Sequence, residues 1–145
     1  MIWFFLLPVY YYQTLPVYIP YATPGKFCTV SDADFDGYRY PEHIAHCHRN
    51  ISKEQKRTAA NIYGIAYSDW NKYEFDHLIP LSIGGANDVL NLWPEPIADA
   101  KLKDDLEFVL FNKISTGEVT QANAAKQMID WAIRSNQNLR YKGKK

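Results

Sequence analysis

The segment from residue 73 to 96, YEFDHLIPLSIGGANDVLNLWPEP, is the feature that most constrains the fold of this chain. Its first residues are aromatic and branched, which favours a short strand. Neighbouring residues of a strand point to opposite faces, so Asp76 and His77 can share one site only where the strand ends or bulges. Pro80 and the Gly84-Gly85 pair predict such an end shortly after them.

The same segment brings together side chains that are suited to hydrolysis. Asp76 can hold a hard cation, and His77 can take a proton from water. Asn87 or Asn91 can hold the loop or the imidazole in place. An Asp beside a His is also common at positions with no catalytic role. The longer pattern around the pair is therefore needed to choose between these interpretations.

That longer pattern, DH-x-x-P-L-x-x-G-G-x-N-x-x-x-N-L, resembles the motif of the HNH endonucleases, which are also called His-Me finger or ββα-metal endonucleases. The NLWPEP sequence and the K-D-x-L-E pattern beyond it are similar to those of small bacterial HNH proteins, many of which are exported. A weaker resemblance extends from Pro24 to Trp131. It implies an α+β fold in which a ββα-metal finger is embedded in a small, mainly helical domain.

The resemblance also implies roles for individual residues. His77 matches the general base, Asp76 the first metal ligand, and Asn91 the central Asn that fixes the loop or the base. Asp99 matches the second metal ligand, on the following helix, where related sequences often have Asn; Asp104 is the alternative. Two carboxylates suit one Mg²⁺ or Mn²⁺ ion better than Zn²⁺.

The function that the resemblance implies is metal-dependent hydrolysis of DNA phosphodiester bonds by an HNH-type endonuclease with little sequence specificity. RNA is an alternative partner, and a monomer is expected. Two other functions remain open. One is a ββα module that binds nucleic acid or has a structural role without catalysis. The other is a metal-dependent hydrolase that acts on a different phosphodiester.

The distribution of charge adds little to this choice. The formal net charge is zero, so the overall charge does not indicate a nucleic-acid-binding protein. Basic residues nevertheless cluster at Arg49, Lys53, Lys56 and Arg57, where they form either an ordinary helix surface or an edge that contacts phosphates. Lys103 or Arg49 could help to hold the phosphate, but both are expected to be surface charges.

Local signals predict three helices and a return strand. Ser52 and Gln55 have the spacing of a capping box at the start of the first helix. The second helix is expected over residues 98–113, and Thr120 can cap the third. A return strand is expected over residues 91–93, ended by the prolines that follow. The apolar stripe expected to face the core of the second helix consists of Leu102, Leu106, Val109, Leu110 and Ile114.

The chain divides into a leader, residues 1–23, and a single HNH nuclease-like domain, residues 24–145. The leader is a candidate signal peptide or anchor, because residues 1–12 are apolar and aromatic. This run is shorter than the roughly 20 residues of a bilayer span, so no stable membrane span is expected. Repeated prolines predict extended, poorly packed chain up to about Thr23. The resemblance to exported proteins implies a secreted or periplasmic location, although no Lys or Arg precedes the apolar run.

Cys28 and Cys47 are the only cysteines. In an exported protein we expect them to form a disulfide. Free thiols and a metal site are the alternatives, because three histidines flank Cys47. The histidines lie too close together in sequence for all of them to bind one tetrahedral zinc ion with the cysteine. The disulfide is the favoured prediction.

Overall fold

The computed structural model describes residues 18–142, with side chains described up to residue 135. Residues 1–17 of the predicted leader, residues 1–23, lie outside this range. Within the described part of the chain, no helix is both long enough and apolar enough to cross a membrane.

The described chain is a mixed α and β fold built from two small antiparallel sheets and three helices. The first sheet pairs β1 (Phe35–Arg39) with β2 (Ile44–Cys47), and the second pairs β3 (Tyr73–His77) with β4 (Leu92–Pro96). The helices are α1 (Lys53–Ile62), α2 (Ile97–Ser115) and α3 (Gln121–Lys142). Short 3₁₀ turns occupy Tyr67–Lys72, Leu81–Ile83 and Val89–Asn91. Thus β3, β4 and α2 are consecutive elements, and α2 contacts both strands.

The return strand β4 is longer than predicted, because Pro94 and Pro96 lie inside it. The register pairs Asp76 with Trp93 and Phe75 with Pro94. Leu78 N donates to Asn91 O, so these two residues form a hydrogen-bonded pair of the ladder. Hydrogen-bonded and non-hydrogen-bonded pairs alternate along antiparallel strands. Pro94 and Pro96 therefore occupy non-hydrogen-bonded positions, where a backbone N–H would point away from β3. A proline therefore costs no ladder bond there.

The helix signals are confirmed at their ends. Ser52 and Gln55 form the predicted capping box of α1, with the Ser52 side chain and the Gln55 side chain each accepting from the other residue's backbone. At the start of α3, Thr120 Oγ1 accepts from Asn123 N at 3.2 Å. Helix α2 begins one residue earlier and ends two residues later than predicted.

The face that α2 buries is predicted in part. Leu110 and Ile114 are buried and Leu106 packs against the core, as expected, but Leu102 and Val109 are exposed. The buried face includes Ala100 and Lys103 instead, at helical spacing from Leu110 and Ile114, and the charge of Lys103 excluded it from the apolar pattern. The core between α2, α3 and the loop after β3 consists of Ile44, Ile79, Ile83, Leu110, Ile114, Ala124, Ala125 and Met128.

The β1–β2 hairpin is an element that the sequence did not predict. It is joined to the preceding segment by a disulfide between Cys28 and Cys47, which confirms the favoured prediction for these residues. The Cys28 backbone N–H also donates to Gly84 O at 2.8 Å, in the loop after β3. The disulfide and this hydrogen bond together connect the hairpin to the loop that follows Asp76 and His77.

The prediction that residues 18–23 are poorly packed is wrong. Tyr18 and Thr23 are buried, and the Tyr18 ring meets Trp93 edge-on at 5.5 Å. Thr23 Oγ1 is hydrogen-bonded to the Tyr63 hydroxyl at 2.8 Å. Prolines remove backbone donors, but they do not prevent the side chains between them from packing.

Candidate functional site

Asn91 ties together the loop that follows β3. Its side-chain N–H₂ donates to the carbonyls of Ile79 and Ala86, each at 2.9 Å, and its Oδ1 accepts from Ile79 N at 2.9 Å. The side chain is fully buried, so these bonds also satisfy groups that would be costly to leave unpaired. Of the two roles that the resemblance allowed for Asn91, the geometry corresponds to fixing the loop.

Gly85 explains why this loop carries a glycine at that point. A Cβ there would lie 1.8 Å from Ile79 O and 2.9 Å from Asn91 Nδ2. Backbone atoms fill that space, so no side chain can be accommodated without moving the loop. Close approach of this kind is a characteristic use of glycine.

His77 is hydrogen-bonded to Asn87, one of the two asparagines expected to hold the loop or the imidazole in place. His77 Nε2 lies 3.0 Å from Asn87 Oδ1. The Asn87 amide orientation follows from its other partners, because Nδ2 donates to Asp34 Oδ2 at 3.0 Å and to His48 O at 2.7 Å, both of which are acceptors. Asn87 Oδ1 must therefore face the ring, and the proton of a neutral imidazole is on Nε2.

This tautomer leaves the lone pair of His77 on Nδ1, which lies 3.9 Å from Asp76 Oδ1. The imidazole is almost fully buried, with 1% of the residue exposed. Burial lowers its pKa below the ordinary value, although Asn87 and Asp76 oppose the shift, so the ring is neutral at pH 7. A neutral histidine with a defined lone pair can accept a proton.

Asp76 is bound on its other side by Lys103. The Lys103 ammonium contacts Asp76 Oδ2 and also donates to His77 O at 2.8 Å. Asp76 Oδ1 accepts from the His77 backbone N–H at 2.8 Å. Burial would raise the pKa of Asp76, but the Lys103 ammonium and the His77 backbone N–H together outweigh it, and the pKa is lowered. The expectation that Lys103 is a surface charge is wrong: the residue is 1% exposed and serves as the counter-ion of Asp76.

Glu95 completes this cluster from β4. It is fully buried, and neither of its carboxylate oxygens has a hydrogen-bond partner among the described residues. Burial raises its pKa to about 8, and the negative charges of Asp76 and Asp99 add to the shift. Lys103 Nζ is 3.8 Å from Glu95 Oε2, but at pH 7 Glu95 is mostly protonated. Asp76 and Lys103 therefore balance each other, and Glu95 is a neutral neighbour.

The two candidate helix ligands differ in position. Asp99 lies in the first turn of α2, is half-buried, and is close enough to Glu95 to affect the pKa of that carboxyl. Asp104 is exposed, one residue beyond Lys103. Of the two candidates, Asp99 is therefore the one whose charge affects Glu95.

The carboxyl groups of this cluster are of the type that binds hard divalent cations, but the oxygens of Asp76, Glu95 and Asp99 are not gathered within 4.8 Å of one another. Glu95 has buried carboxyl oxygens without hydrogen-bond partners among the described residues, and it would have to lose its proton to bind an ion. Asp76 and Asp99 are close enough to Glu95 for their charges to raise its pKa. Carboxylate oxygens are the ligands that Mg²⁺ and Mn²⁺ prefer. Lys103 already neutralises Asp76, so such an ion would compete with the ammonium for that carboxylate.

Among the described residues, the three potential ligands whose atoms do lie together are Cys28, Asp32 and Cys47. Their ligand atoms are within 4.8 Å of one another. Both sulfurs are in the disulfide, however, and only thiolate sulfur is a strong metal ligand. We therefore regard this group as the environment of the disulfide.

A cleft of about 720 Å³ opens on the exposed side of Asp76. One wall carries Arg49, Lys53 and Lys56, and aromatic side chains form much of the other. Arg49 is close enough to His77 that its charge, after the larger effect of burial, lowers the pKa of the imidazole. Asp76 therefore lines a cleft that carries three basic side chains and one other acidic side chain, Glu74.

No protein-family model matches this chain, no curated protein matches its sequence, and no solved structure matches its fold. The assignment of a function therefore rests on the residues and their geometry.

Proposed function

We propose that this chain is a metal-dependent endonuclease of the HNH type, which hydrolyses DNA phosphodiester bonds with little sequence specificity. The observation that carries the proposal is the state of His77: a neutral imidazole, with its proton fixed on Nε2 by Asn87 and its lone pair on the side of Asp76. The Arg49 side of the cleft supplies positive charge beside it.

In the proposed reaction, His77 Nδ1 removes a proton from a water molecule, and the water oxygen attacks phosphorus. The bond from phosphorus to the leaving ester oxygen breaks, and that oxygen is then protonated from solvent. Asp76 stabilises the imidazolium that His77 becomes, because opposite charges at this distance favour the protonated ring. Asn87 keeps the ring oriented throughout.

Asp76 and Asp99, with Glu95 beside them, are the residues that would hold a Mg²⁺ or Mn²⁺ ion. When bound, the ion supplies stabilisation of the charge that develops on the phosphoryl and leaving oxygens. Lys103 remains the counter-ion of the cluster when the ion is absent. The disulfide supports a secreted or periplasmic location, because such bonds persist in oxidising compartments.

A plasmid-nicking assay tests this proposal. We expect supercoiled DNA to be relaxed in the presence of Mg²⁺ or Mn²⁺, and to remain supercoiled with EDTA. Asp76→Asn should lose cleavage with either ion. Equal cleavage in EDTA would contradict the metal requirement, and no cleavage under any condition would contradict the enzymatic function.

A second function, a non-catalytic module that binds nucleic acid, is favoured by one observation. His77 is almost fully buried and Asp76 is already neutralised by Lys103, an arrangement that is stable without a substrate or an ion. This alternative predicts retention of DNA on the protein with no cleavage in either metal.

A further inference from the structure

Two adjoining clefts form a groove that runs from Asp76 along the surface between α1 and the 3₁₀ turn at Tyr67–Lys72. The cleft beside Asp76 and a second cleft of about 400 Å³ share Lys53 and Trp70 as lining residues. Arg57 and Tyr67 are at the far end. The groove is therefore longer than the site itself and leads into it.

One wall of this groove is a row of aromatic rings. The Tyr67 and Trp70 ring centroids are 4.9 Å apart, and those of Trp70 and Phe75 are 4.8 Å apart. Tyr67 is 69% exposed, so its ring is available to a ligand. The row ends one residue before Asp76.

The facing wall is basic. Among the described residues, no carboxylate forms an ion pair with Arg49, Lys53 or Lys56, so their charges are available for phosphates. Lys53 Nζ lies over the Tyr67 ring, 5.5 Å from its centroid, so the two walls meet at this point. Glu74 also lines the groove and opposes part of this charge.

We propose that this groove binds single-stranded nucleic acid and delivers it to the Asp76–His77 site. The inference rests on the proposed function and specifies its substrate. Basic side chains alone would bind any polynucleotide, because they contact only the phosphates. A row of aromatic rings adds base stacking, which requires base faces that a duplex keeps covered. The occupant that matches both walls is a strand with unpaired bases.

Binding can be measured without cleavage, using His77→Ala in EDTA and fluorescein-labelled oligonucleotides. The probes are a 12-nucleotide oligo(dT) and a duplex of the same strand length. We expect the single strand to bind about tenfold more tightly than the duplex, the size of effect that stacking of one base gives. Equal or tighter binding of the duplex would overturn the proposal.

Two further variants separate stacking from charge. Tyr67→Leu should weaken binding of the single strand about tenfold and leave duplex binding unchanged, because only stacking is lost. Lys56→Gln should weaken both and reduce the salt dependence of binding. Phe108→Leu is the matched control, since Phe108 is 66% exposed on α2 and lines neither cleft, and it should change neither.

If Tyr67→Leu weakens both probes equally, or neither, the aromatic row does not stack on bases and the proposal fails. The result is independent of catalysis, because no metal is present. If the protein nicks plasmid DNA but binds the duplex more tightly than the single strand, the groove inference fails and the proposed function stands. Selective binding of single strands by a wild-type protein that never cleaves would overturn the proposed hydrolysis and leave the groove intact.

Discussion

Replacing Lys103 with Met should cost this protein more stability than almost any surface substitution. Lys103 is buried, contacts Asp76 Oδ2, and donates to His77 O at 2.8 Å. Methionine keeps most of the volume but leaves the Asp76 carboxylate without a counter-ion. Breaking a buried ion pair from one side costs about 3–5 kcal/mol. Because Asp76 is partly exposed, we expect about 3 kcal/mol at pH 7, the lower end of that range.

The effect should depend on pH with a defined sign. In the wild type the pKa of Asp76 is below its ordinary value, so the carboxylate contributes stability above about pH 4, and this is lost as pH falls through the folded pKa. In Lys103→Met the largest opposition to burial is lost, and the pKa of Asp76 rises. The variant can then protonate Asp76, so the difference between the two proteins should shrink as pH falls from 7 towards 4.

Urea unfolding in EDTA measures this difference, with Glu95→Gln as the matched control. Glu95 has its pKa raised to about 8, so at pH 7 glutamine replaces a side chain that is already neutral. We expect that variant to be at least as stable as the wild type at pH 7, because the Glu95 carboxyl ionises when the chain unfolds and glutamine does not. If Lys103→Met does not fold, the double variant with Asp76→Asn should fold, because the unpaired charge is gone. A loss below about 1 kcal/mol for Lys103→Met would refute the counter-ion role.

Three further outcomes follow from the site. Asn87→Ala should lower the pKa of His77 still further, because the bond to Asn87 raises it, and an NMR titration of the ring should show the shift to lower pH. Asp99→Ala should weaken Mn²⁺ binding measured by calorimetry while Asp104→Ala does not; the reverse result would mean that Asp104 is the helix ligand. Reduction of the disulfide, whose cysteines are 19 residues apart, should lower stability by about 3 kcal/mol, and a thiol count on the unfolded, unreduced protein should be zero.

The helix ends were predictable because their signals are local. A capping box needs only two side chains three residues apart, and the Ser52–Gln55 pair forms one as its spacing indicated. The disulfide was also predictable, since a chain with two cysteines offers a single pairing. These features depend on few residues and little tertiary context.

The β1–β2 hairpin was missed because its turn lacks the usual signal. Tyr40 and His43 have positive φ angles of 65° and 59°, whereas hairpin turns are recognised in sequence by Gly or Asn at such positions. The rest of the molecule stabilises this turn: the Tyr40 hydroxyl donates to Ser82 O at 2.5 Å, 42 residues away. Contacts of that separation are not visible in a local pattern.

The burial of Lys103 was missed for a similar reason. Lysine is almost never fully buried unless it is paired, and its partner Asp76 lies 27 residues away in the sequence. A signal did exist: Ala100, Lys103, Leu110 and Ile114 have helical spacing, so a stripe that admitted one charged residue would have given the correct face. Asn87 likewise gains its role only when the loop places it against His77.

The central claim is that His77 is the general base, and the most direct test is its removal. Cleavage of plasmid DNA in saturating Mg²⁺ should be compared for the wild type, His77→Ala and His43→Ala, with circular dichroism to confirm folding. His43 is exposed in the β1–β2 turn, so its variant should cleave at the wild-type rate. We predict that His77→Ala is slower by at least about a hundredfold, the usual contribution of a positioned base. Cleavage by folded His77→Ala at the wild-type rate would contradict the account.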